Sequence, residues 1–132
     1  MKAGRELDAK VAEFMGIVIS HVPKNIPYLF IDNDYVLSGG TYFLDSDGNG
    51  SFDIPYFSDD ISAALPVLEK AKKSFFSTTI TMWDYTDKVV IAGDTRQGHN
   101  ENISVLTVQA ETLPLAICKF ALRTKENKNE SG

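Results

Sequence analysis

Apolar residues at Ala3, Leu7, Val11, Phe14 and Met15 recur every three to four positions, the spacing of one buried helix face. Arg5, Asp8, Lys10 and Glu13 fall on the opposite, solvent-facing side of that expected helix. Gly16 follows where helices commonly end in a left-handed turn. Ile17 to Ile19 and Tyr28 to Ile31 read as short strands with a loop through Pro23 and Asn25 between them, and Asp32, Asn33 and Asp34 turn the chain. Residues 35–57 read as a hairpin: Tyr42, Phe43 and Leu44 lead into Asp45-Ser46-Asp47-Gly48-Asn49-Gly50, and Phe52, Ile54, Tyr56 and Phe57 return. Asp-Gly and Asn-Gly favour such a turn because tight connections need positive φ. Ser58 is then expected to cap a second helix with Asp59 and Asp60 in its first turn. Its stripe would be Ile61, Ala64, Leu65, Leu68 and Ala71, and Pro66 predicts a kink or a start near Ala64.

Three strands should follow. Phe75 to Tyr85 alternates, Val89 to Ala92 is a short apolar run, and Ile103 to Val108 is the third. Thr86-Asp87 makes a tight turn between the first two, and residues 93–102 form a long polar loop. A last helix starts near Thr112, tolerates Pro114 in its first turn, and points Leu115, Ile117, Cys118, Ala121 and Leu122 inward. The pattern predicts an α+β fold with three helices packed on a mostly antiparallel sheet. It predicts a single domain over residues 1–124 and a disordered polar tail at 125–132. Leu7, Val11, Phe14, Leu65, Leu68, Leu115, Cys118 and Leu122 are the expected core.

A composition of 43% hydrophobic and 23% charged residues suits one globular core. The single cysteine, Cys118, excludes an internal disulfide and suits a reducing compartment. The N-terminal stretch reads as an amphipathic helix and not as a signal peptide. No apolar run nears the roughly 20 residues of a membrane span. A soluble, cytoplasmic protein is the expectation. A net charge of −5 opposes nonspecific nucleic-acid binding, which draws on clustered Lys and Arg. The one basic cluster, Lys70, Lys72 and Lys73, falls where a helix ends and complements its dipole.

Three stretches resemble one family: MKAGRELDAKVAE at 1–13, PYFSDDISAALPVLEK at 55–70 and AETLPLAICKFAL at 110–122. Together they are similar to the phage ABA sandwich domain, a family of small phage and prophage proteins. The resemblance implies helices on a mostly antiparallel sheet and no activity; a phage accessory protein in the host cytoplasm is the expectation. The resemblance carries no catalytic residues. The chain departs from the pattern at Leu65-Pro66 and in its longer central hairpin.

Chemistry is sparse. Asp45 to Asp53 matches the first half of an EF-hand calcium loop, but Tyr56 stands where the bidentate Glu is needed, and the flanks read as strands. A hairpin turn is the expected reading, with no metal site. His21 and His99 have no metal-ligand spacing. Cys118, on an inward stripe, should be protonated and inert. No G-x-S-x-G, P-loop or G-x-G-x-x-G occurs. No catalytic site and no cofactor are assigned, and an enzyme is not expected.

The expectation is a binding protein: an anti-defence factor that sequesters a small anionic, nucleotide-derived host immune signal or blocks a host defence protein. The alternative is a non-catalytic structural or regulatory phage interaction module. An anion site needs positive charge beside a stacking surface. Arg96 and His99 in the long loop, and Lys88 beside Trp83 and Tyr85, are the candidates. They lie at opposite ends of the Val89–Ala92 strand, about 13 Å apart. A site built from both would form more readily between two subunits, which implies a homo-oligomer.

Overall fold

The computed structural model describes residues 4–94 and 105–131, with side chains described as far as Lys125. In chain order the elements are α1 (Arg5–Phe14), β1 (Val18–His21), β2 (Tyr28–Ile31), β3 (Asp34–Leu37), β4 (Thr41–Leu44), β5 (Gly50–Ser51), α2 (Ile61–Lys72), β6 (Ser77–Trp83), β7 (Lys88–Asp94), β8 (Val105–Ala110) and α3 (Leu113–Ser131). The fold is α+β, and every strand pairing is antiparallel. The strands form three sheets, β1-β4-β5, β2-β3 and β6-β7-β8, where one sheet was expected. The chain divides into two compact units, Met1–Val11 with Tyr56–Gly132, and Ala12–Pro55. The division follows the pairing, because each unit closes its own strands upon one another.

In the first unit β7 is the central strand. Its Val89, Ile91 and Gly93 are buried, alternating with half-buried Lys88, Val90, Ala92 and Asp94. The register sets Thr78, Ile80 and Met82 of β6, and Leu106, Val108 and Ala110 of β8, beside that buried row. Helix α3 packs on β7 and β8, burying Leu115, Ala116, Ile117, Cys118, Phe120 and Ala121, and α2 packs on α3. Gly93 permits this closeness: a Cβ there would meet the Phe75 ring at 2.7 Å, and that ring lies 5.0 Å from Phe120.

Helix α2 begins at Ile61, and Pro66 sits inside it, so the later start near Ala64 does not occur. Its N-cap is Asp60, whose carboxylate accepts from Ser62 N–H, and not Ser58. The buried stripe is Ala64, Val67 and Ala71, whereas Leu65 is 48% exposed. Small side chains on the inner face let helices approach closely, which turns the bulkier Leu65 outward. Leu7, Val11, Leu115 and Cys118 are buried as expected, while Phe14, Leu68 and Leu122 are only half-buried. Helix α3 runs to Ser131, so the expected polar tail continues the helix. Its Lys and Glu residues favour helix, and no Gly or Pro interrupts them before Gly132.

In the second unit β2 returns directly as β3 through Asp32 and Asn33, both at positive φ (48° and 66°). Two consecutive left-handed residues define the tight turn that matches strand twist, and Asp and Asn tolerate it. The expected 35–57 hairpin therefore gives up residues 35–37 to the pairing with β2. Its remainder is β4 with a return of only two residues, β5. Gly50 lies against Ile31, where a Cβ would come within 2.8 Å, so the β2-β3 ribbon packs on the three-stranded sheet at this point.

Candidate functional site

Among the described residues, two of the expected ligand residues, Trp83 and Lys88, meet beside the β6–β7 connection. Trp83 and Lys88 are cross-strand partners at the hairpin end, and Lys88 Nζ lies 4.7 Å from the centre of the Trp83 ring. Trp83 is 43% exposed, and Tyr85, in the connection, is 97% exposed. Both therefore offer ring surface to solvent. An open cleft of about 930 Å³ begins at Lys88, lined also by Asp59, Asp87, Glu111, Thr112 and Lys119 among others. Thr112 caps α3, its carbonyl accepting from Ala116 N–H at 3.0 Å and its hydroxyl from Leu115 N–H at 3.4 Å. The positive end of the α3 dipole thus opens on the cleft. Lys119 Nζ donates to the Gln109 carbonyl at 3.3 Å from the same wall. Against these two lysines stand three carboxylates, so the cleft is electrostatically mixed and not a basic pocket.

Arg96 and His99 lie outside the described residues. Strand β7 itself runs from Lys88 to Asp94, beyond both ends of the expected Val89–Ala92 strand.

The alternation of α1 places Asp8 on its solvent side, yet Asp8 is fully buried. Its Oδ2 accepts from Arg5 Nη1 at 2.9 Å and its Oδ1 from the Ser58 N–H at 2.8 Å. The Ser58 hydroxyl in turn accepts from Gly4 N–H at 3.0 Å, and the Arg5 guanidinium lies 3.9 Å over the Tyr56 ring. This network ties the start of α1 to the segment before α2. It also faces Cys118, whose thiol is pushed up to about 12 by burial first and then by the negative charges of Asp8 and Asp59. Nucleophilic cysteines sit beside cations, and this neighbourhood is the reverse.

A second surface, missed by the sequence reading, lies on the β2-β3 ribbon. Tyr28, Phe30, Tyr35 and Leu37 share one face and are 52–70% exposed. Tyr35 stands edge-on to both Tyr28 and Phe30, with centroids 5.1 Å apart in each pair. The signal was present as apolar alternation on either side of Asp32-Asn33, but it becomes a face only once β2 and β3 pair.

The Asp45 loop is a turn that uses its own carboxylate. Asp45 Oδ1 accepts from Asp47 N–H at 3.0 Å and Asn49 N–H at 2.8 Å, and Gly48 takes φ +88°. Among the described residues no group of three or more His, Cys, Asp or Glu could hold a metal ion. No helix of the described residues is long and apolar enough to cross a membrane.

Compared with family models, with curated proteins and with solved structures, the chain finds no match. The resemblance to the phage ABA sandwich domain rests on the three quoted stretches alone.

Proposed function

We propose that this chain is a non-catalytic binding protein whose ligand site is the β6–β7 hairpin end. The observation that carries the reading is that Lys88 both lies over Trp83 and lines the adjoining cleft. A small anionic, nucleotide-like ligand suits this pairing. Its ring would stack on Trp83 or Tyr85, and its phosphate would meet Lys88, Lys119 and the N-terminal turn of α3. Base–aromatic stacking contributes about 1–3 kcal/mol per base. The carboxylates Asp59, Asp87 and Glu111 would reject long polyanions, in keeping with a net charge of −5. In the phage setting that the sequence resemblance suggests, such a protein sequesters a nucleotide-derived immune signal in the host cytoplasm. A second reading, an interaction module that engages a host protein, draws support from the exposed aromatic face of the β2-β3 ribbon.

Trp83 is the only tryptophan, so its fluorescence reports on the site directly. Titration with mono-, di- and cyclic nucleotides should give saturable quenching, and Lys88→Ala should weaken it about tenfold, the worth of one charge-assisted hydrogen bond. Absence of quenching by every nucleotide, with unchanged protection of phage by Trp83→Ala and Lys88→Ala in infection assays, would refute the site.

A further inference from the structure

Strand β6 is the outer strand of its sheet, paired with β7 along one side. Natural sheet edges are protected by lysines, prolines, bulges or a covering element. Among the described residues, β6 shows none of these. Its seven residues, STTITMW, include no charge and no proline, they pair with β7 without interruption, and all but Thr78 are exposed. The other edge of the sheet differs, since Leu7 of α1 shares a cleft of about 370 Å³ with Thr107, Val108 and Gln109 of β8. On the helix-covered face, α3 reaches over β7 and β8 but leaves Ile80 38% and Met82 60% exposed.

We propose that β6 is a dimer interface, pairing antiparallel with β6 of a second copy about a two-fold axis normal to the sheet. Such an axis keeps like faces together, so the helix-covered faces of both copies join. The register centred on Ile80 pairs all seven residues: Ser77 with Trp83, Thr78 with Met82, Thr79 with Thr81, and Ile80 with its own counterpart. A second copy fits better than a foreign strand because the sequence is self-complementary in this register. Threonine meets threonine, isoleucine meets isoleucine, and each Met82 lies diagonal to the other copy's Ile80, so both exposed apolar side chains gain cover at once. A strand that meets itself must also avoid opposing like charges, and β6 has none to oppose. The pairing would add about six to eight main-chain hydrogen bonds and join the two three-stranded sheets into one of six strands. It closes on itself, as isologous contacts do, and leaves β8 at both ends. The inference shares Trp83 with the ligand reading but does not depend on it.

Sedimentation equilibrium of the full chain at micromolar concentration tests this, with a species of twice the chain mass expected. The double variant T79K/T81K opposes like charges twice across the axis and should raise the dimer Kd about tenfold or more. T79K/T81E opposes unlike charges in the same register and should retain the dimer. Ile80→Cys places two thiols on the axis, at Cα separations of about 4.5–5.5 Å that a disulfide spans. Mild oxidation should cross-link it, whereas Tyr85→Cys should stay single. Circular dichroism confirms that each variant folds. A chain that is monomeric at every concentration overturns the proposal, as does a dimer indifferent to T79K/T81K, or open-ended polymers, which would mean head-to-tail pairing of β6 with β8.

Discussion

Asp8→Ala separates the tertiary structure from the helical pattern most sharply, because the pattern gives almost no effect and the structure a large loss. A solvent-facing Asp in α1 would be replaced by the best helix former, a gain of several tenths of a kcal/mol. That gain is offset by the lost carboxylate near a helix N-terminus, about 0.3–1 kcal/mol. The net effect would be near zero. In the structure the substitution strands the buried Ser58 N–H, which now donates to Asp8 at 2.8 Å, and removes the 2.9 Å ion pair to Arg5. An unsatisfied buried donor costs about 1–3 kcal/mol, and a hydrogen bond to a charged group contributes about 1.5–3. Arg5 is partly exposed and recovers water, so its share is discounted toward the low end. The expected loss is about 2–4 kcal/mol. At about 4 °C per kcal/mol for a chain of this size, the melting midpoint should fall by about 8–16 °C. Glu6→Ala, on the exposed side of the same turn, controls for dipole and propensity, and should change stability by less than about 1 kcal/mol. Urea and thermal melts of both variants decide the matter. A loss under about 0.5 kcal/mol for Asp8→Ala would refute the buried-network account.

Leu115→Ala should cost about 2–5 kcal/mol through a cavity, whereas Leu65→Ala, nearly half exposed, should cost less than about 1 in the same denaturant melts. With its thiol raised to about 12, Cys118 should resist an aromatic disulfide reagent at pH 8 in the native state and react once unfolded. The folded state holds this proton more tightly than the unfolded one, whose ordinary value is 9.0, so the contribution is intact below about pH 9. It should decline as pH rises toward 12, and urea midpoints across that window would register the decline. Calorimetry should find no calcium dissociation constant below about 1 µM, because Asp45 is occupied by its own turn and Tyr56 replaces the bidentate ligand.

What the sequence determined by itself is local. The apolar spacing of α1 and α3, Pro114 early in its helix, the alternation of β6, and Asp-Gly or Asp-Asn at turns depend on residues two to four positions apart. Such patterns hold whatever the chain meets later. The Trp83–Lys88 neighbourhood was legible for the same reason, since a short connection leaves one way for the strands to return. Partner choice was not legible. β3 could pair with β2 or open a longer hairpin, and the two-residue turn at Asp32-Asn33 settled it by closing the shorter loop. Which edge of an apolar stripe faces inward also needed the neighbour. On α2 the helix turned Ala64, Val67 and Ala71 inward and Leu65 out, because small side chains permit close approach to α3. Asp8 is the clearest case. No pattern within α1 places a carboxylate inside, and its burial follows from a backbone N–H fifty residues away, which only tertiary contact brings to it.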